Sequence, residues 1–106
     1  MALCQYQEAV MSRMDFESIH NFYERPVFEA VAALAQKNTG TDQQIDAKYL
    51  ADVACVALNQ LLPRYIRHDV DFSFYLSEAE RQENLRQIED SVTKAWAYVL
   101  ERKKRF

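Results

Sequence analysis

The side chains best equipped for chemistry in this chain of 106 residues gather in one short run: Asn59, then Arg64, Tyr65, Arg67, His68 and Asp69 around Pro63. Arg64 and Arg67 carry planar guanidinium forks, which grip phosphate through paired N–H donors and stack on aromatic rings. Tyr65, Phe72 and Phe74 offer stacking faces, while Asn59 and Asp69 present donors and acceptors that read the edge of a base. That mixture suits a ligand with phosphates and aromatic bases. The same residues also admit a purely structural use, in which Arg64 pairs with Asp52 to brace a helix end and the aromatics belong to the core. Residue types alone leave both readings open.

Other chemistries find less support. His20 and His68 are the only two histidines, and the acids nearest His68 are Asp69 and Asp71. A transition-metal site needs three or four convergent ligands, which this one loop does not supply, so no metal is expected. A Cys–His nucleophile would require Cys55 to face His68 or His20, yet Cys55 lies in an apolar helical run and reads as a packing residue. One glycine in the whole chain leaves no glycine-rich phosphate loop, and there is no serine elbow. Paired carboxylates fall only on faces that read as solvated. No catalytic residue and no cofactor is assigned, and the chain is not expected to be an enzyme.

Composition sets the frame that must position these residues. The length allows one domain, and 49% apolar residues are enough for a packed core. A single glycine and two prolines are too few for the turns of a β-rich fold, so the class is all-α. A net charge of −3 argues against nonspecific nucleic-acid binding. The closing run Arg102-Lys103-Lys104-Arg105 suits the last turn of a helix, where cations meet the negative end of the dipole. Cys4 and Cys55 stand too far apart for a disulfide framework or a zinc pattern, which points to a reducing compartment. No signal peptide is evident, and no apolar run reaches the roughly 18 residues that span a bilayer. A cytoplasmic location with no membrane contact is expected.

Along the chain, residues 1–14 read as a tail or loose helix, ahead of a single helical domain over 15–106. Ile19, Phe22, Tyr23, Val27, Val31 and Leu34 recur at helical spacing. Pro26 either kinks that helix or opens a second one after a short helix from Ile19 to Arg25. Asn38-Thr39-Gly40-Thr41 ends the element. A second helix starts near Asp46, with Leu50, Val53, Ala54, Ala57, Leu58 and Leu61 as its stripe. Asp52 and Asn59 project from one face, and Pro63 sets the end of the helix. Val70, Phe72 and Phe74 alternate with Asp71, Ser73 and Tyr75, compatible with at most one short extended segment near 70–75. Ser77, Glu78 and Glu80 start the last helix as an N-cap with acidic first-turn residues. From there to the C-terminus the helix is about 40 Å long. Its stripe of Leu85, Ile88, Val92, Ala95, Trp96 and Val99 exceeds what a small core covers, so a homodimer is expected. In all, three to five helices are expected.

The block Asp52-Val53-Ala54-Cys55-Val56-Ala57-Leu58-Asn59-Gln60-Leu61-Leu62-Pro63-Arg64-Tyr65 resembles the signature of the late competence development ComFB family, which runs roughly D-V-x-A-x-A-L-N-x-L-P-P-R-Y-V. Ile19-His20-Asn21-Phe22-Tyr23-Glu24 resembles the family's N-terminal segment, and the likeness extends over about residues 17 to 102. Two departures stand out. Leu62 replaces the first proline, leaving room for one more helical turn. The cysteine cluster that some members carry ahead of this helix is missing from Ile45 to Ala51, so zinc is not carried over. The resemblance implies a small, helical, dimeric cytoplasmic protein without catalytic activity. It further implies a receptor for a cyclic dinucleotide such as cyclic di-GMP or cyclic di-AMP, tied to competence, motility or cell-size control and to a protein partner. Of the candidate ligand contacts, Asn59, Arg64 and Tyr65 lie on the matched motif; Arg67, His68 and Asp69 rest on chemistry alone. A second expectation is an adaptor whose aromatics from Phe72 to Tyr75 dock a protein without any small ligand. A third is a structural dimer in which Asp52, Asn59 and Arg64 only fix the helix end.

Overall fold

The computed structural model describes residues 14–38 and 45–105, with side chains up to residue 102. The tail expected over 1–14 and Cys4 lie almost wholly outside the described residues, as does Thr39-Gly40-Thr41. A 3-10 turn at Phe16–Ser18 leads into β1 (His20–Asn21) and α1 (Glu24–Lys37). From residue 45 onward come α2 (Ala47–Gln60), β2 (Tyr65–Ile66), α3 (Asp69–Phe74) and α4 (Glu78–Arg105). The mostly helical class and the long closing helix are therefore as the sequence predicts.

The helices α1, α2 and α4 each begin where a local side-chain acceptor is at hand. Asp46 caps α2, its Oδ1 accepting the Tyr49 N–H at 2.8 Å. Ser77 caps α4, its Oγ accepting the Glu80 N–H at 3.1 Å. At α1 the Asn21 side chain accepts the Tyr23 N–H at 3.3 Å, and Glu24 Oε2 accepts the Asn21 N–H at 3.0 Å. Pro26 is the third residue of α1. An N–H there would have no partner within the helix, so proline neither kinks nor divides it. At the other end Asn38 Nδ2 donates to the Leu34 carbonyl at 2.8 Å, satisfying an acceptor the last turn leaves open.

The core forms where α1, α2 and α4 meet, with α2 packed most extensively on α4. Val27 and Val53 are fully buried. Ala54, Ala57 and Ala95 are small and buried, which lets the helix backbones approach closely. Tyr49 packs edge-on against Trp96, ring centroids 5.1 Å apart, and its hydroxyl donates to the Trp96 carbonyl at 3.2 Å. The buried Ser91 hydroxyl donates to the Ile88 carbonyl at 2.9 Å, so it enters the core with its donor satisfied.

Several expectations are corrected. Residues 69–74 are helical, not extended. Over so short a run the alternation does not exclude a helix, in which Val70 and Phe74, four apart, share one face and Phe72 takes the other. Val70 and Phe74 are indeed both exposed, while Phe72 turns inward as a half-buried residue. The extended backbone lies instead in β1 and β2, paired antiparallel with His20 opposite Ile66 and Asn21 opposite Tyr65. Ile19 to Arg25 is thus turn, strand and the start of α1, not a short helix. Leu62 gains no extra helical turn: Leu61 is already extended (φ −101°, ψ 137°), as suits a chain entering a proline two residues on. Cys55 is free and exposed, not a packing residue. Leu85, placed on the α4 stripe, is 55% exposed, so that stripe outruns the core.

Candidate functional site

The corner after α2 is built by a cross-connection from the start of the domain. Phe22 N–H donates to the Arg64 carbonyl at 2.7 Å, and Asn21 Oδ1 accepts the Arg64 N–H at 3.0 Å. Both backbone polar groups of Arg64 are thereby fixed by Asn21 and Phe22. Pro63 keeps the chain out of helix, so these groups need partners elsewhere, and β1 supplies them.

With its backbone held, the Arg64 side chain lies over the Phe72 ring, Cζ 4.5 Å from the centroid. Phe72 is backed in turn by Phe22, centroids 4.6 Å apart. The order is guanidinium, aromatic ring, aromatic ring. Among the described residues no hydrogen bond or ion pair engages the guanidinium of Arg64, which leaves its donors open to solvent. No Arg64–Asp52 pair forms, and both residues are exposed.

The remaining candidates divide into two groups. Tyr65 is 69% exposed beside Arg64. His68 is exposed at the N-cap of α3 and makes no side-chain cap bond. Asn59 is exposed in the last turn of α2. Arg67 and Asp69, in contrast, are engaged. Arg67 Nη2 meets Asp15 Oδ2 at 3.1 Å, and its Nε donates to Ser18 Oγ at 3.3 Å. Asp69 Oδ1 lies 2.9 Å from His20 Nε2, while His20 Nδ1 lies 2.9 Å from the Ser18 carbonyl oxygen. The hydrogen bond to Asp69, then that to Ser18, holds the His20 pKa above the ordinary histidine value, with partial burial opposing.

His20, Asn21 and Phe22 were absent from the predicted site, although their contacts build the corner that carries it. No local pattern could have found them, since His20 and Asp69 are 49 positions apart. The only pointer was their place in a second motif segment.

Two grooves lie away from this corner. One of about 530 Å³ runs between α2 and α4 and includes Asp46, Asp52, Cys55, Tyr98 and Arg102. The other, about 540 Å³ and almost wholly apolar, lies between α1 and α2 beside Phe28, Leu50, Ala54 and Leu58. Among the described residues no three His, Cys, Asp or Glu side chains converge as metal ligands, and no helix is long and apolar enough to cross a membrane.

No curated protein matches the chain. The family model for late competence development protein ComFB matches residues 20–103, a span that opens at the histidine of β1 and takes in all six candidate contacts. The clamp of Asn21 and Phe22 on Arg64 joins the two sequence segments that carried the resemblance. The chain belongs to the late competence development protein ComFB family.

Proposed function

We propose that the corner binds a cyclic dinucleotide second messenger, cyclic di-GMP or cyclic di-AMP, without catalysing a reaction, and relays it to a competence, motility or related pathway. The observation that carries this reading is Arg64: its backbone is pinned, its guanidinium is seated on Phe72, and its N–H donors point to no partner among the described residues. A donor set held in place loses little entropy on binding an anion. Arg64 takes a phosphate and Tyr65 stacks on a base. Asn59 and His68 serve the rim, while Arg67 and Asp69 hold the corner's shape and offer their remaining polar atoms. Two such corners, brought together in a homodimer, match a ligand with two phosphates and two-fold symmetry.

Calorimetry with both cyclic dinucleotides tests this. Saturable binding that Arg64→Ala weakens, with helicity unchanged, supports it; absence of heat and of a thermal shift at high ligand concentration overturns it. If Arg64→Ala unfolds the domain, Arg64 is a brace and not a contact.

A second reading rests on the exposure of Val70 (82%), Phe74 (80%) and Tyr75 (84%). Large side chains so open on one short helix and the residue that ends it suit docking of a protein partner. Partner capture that survives Arg64→Ala together with Arg67→Ala, and is lost with Phe74→Ala, would favour an adaptor that needs no small ligand.

A further inference from the structure

We infer that His20 is a protonation latch: as an imidazolium it donates from both ring nitrogens, to the Asp69 carboxylate and the Ser18 carbonyl, and as a neutral ring it gives up one of the two and its ion pair with Asp69, which loosens α3. The reason is a count of protons. Both partners are acceptors only, the Asp69 oxygen at 2.9 Å from Nε2 and the Ser18 carbonyl oxygen at 2.9 Å from Nδ1. A neutral imidazole has one N–H and one lone pair, so it can satisfy one partner and sets its lone pair against the other. The observed geometry satisfies both only when the ring is charged.

The surroundings favour that charge. Asp69 faces the ring from α3, and Glu24 adds its field from the first turn of α1. Arg67 is the nearby cation tied to the same segment, and Asp15 pairs with it at 3.1 Å; His68 is the next residue before Asp69. The sum holds the His20 pKa above its ordinary value of 6.5. For a pKa raised in the folded state, the stabilisation is complete below the unfolded value and is lost as pH rises through the folded one. The attachment of α3 is therefore full in mildly acidic solution and fades towards alkaline pH.

α3 is the element such a change would reach. It has six residues and no side-chain N-cap bond, and so short a helix does not persist without tertiary ties. Among the described residues those ties include His20 on Asp69 at its start, Phe22 and Arg64 on Phe72 in its middle, and Arg81, which donates to the Ser73 carbonyl at 2.6 Å, at its end. Loosening the first tie disturbs the helix that carries Phe72, the seat of Arg64. The latch needs no ligand and does not rest on the function proposed above.

Proton-detected NMR of the full chain tests it by following the His20 ring and the amides of α3 across pH. The midpoint of His20 should lie above that of free histidine, with both ring nitrogens protonated below it. Protection of the Phe72 and Tyr75 amides, corrected for intrinsic exchange, should fall through the same midpoint, while that of Val53 in α2 stays constant. Asp69→Asn should bring the midpoint back towards free histidine; if that variant does not fold, the wild-type titration decides alone. A His20 midpoint at or below free histidine overturns the latch, and so does unchanged protection of Phe72 and Tyr75 while His20 titrates.

Discussion

Arg64 and Asn21 illustrate how differently two neighbouring residues can matter. Arg64 makes its hydrogen bonds through the backbone, and its side chain adds a cation–π contact at an exposed site, worth about 0.5–1 kcal/mol. Arg64→Ala should therefore lower stability by less than about 1 kcal/mol. It removes charge-assisted bonds to a phosphate worth about 1.5–3 kcal/mol, so ligand affinity should fall about 10- to 100-fold. Asn21 behaves in the reverse sense. Its side chain accepts from both Tyr23 and Arg64, and Asn21→Ala removes the acceptor of two backbone donors, one part-buried and one exposed, which should cost about 1 kcal/mol in a denaturant titration. Sequence reasoning singled out Arg64 by its chemistry. It passed over Asn21 because an asparagine before a helix carries no sign of a partner 43 positions away.

At the scale of elements, what is written locally was legible. Asp46 and Ser77 cap the helices they precede, and Pro63 ends one within three residues. Asp46→Ala should accordingly cost about 1 kcal/mol, read as a shift in the urea midpoint. Replacing Pro26 by alanine should change stability by less than about 0.5 kcal/mol, because the third helical position carries no intrahelical N–H bond to restore. What depends on distant partners was not legible. Two-residue strands have no period to detect, so β1 and β2 emerged only from their pairing. In α3 a period of two would put Val70, Phe72 and Phe74 on one face, whereas one turn of helix sets Phe72 opposite the other two; the ties to Phe22 and Arg81 decide for the helix.

At the scale of the whole molecule, three helices make the core and the corner hangs from its edge. Trp96→Ala removes the ring that seats Tyr49 and should cost about 3–5 kcal/mol of global stability. Phe74→Ala touches a residue 80% exposed and should leave thermal stability within about 0.5 kcal/mol. A loss of partner binding in that variant would then report on the surface and not on the fold. Arg64 belongs to this edge, where its loss can be separated from loss of the core. Isothermal calorimetry of the wild-type chain and Arg64→Ala with cyclic di-GMP and cyclic di-AMP is therefore the most direct measurement. Saturable binding of one of them, weakened at least about tenfold in the variant with its circular dichroism unchanged, is the expected result. No binding of either nucleotide to the folded wild-type protein, or equal binding by the variant, would contradict a ligand site at this corner.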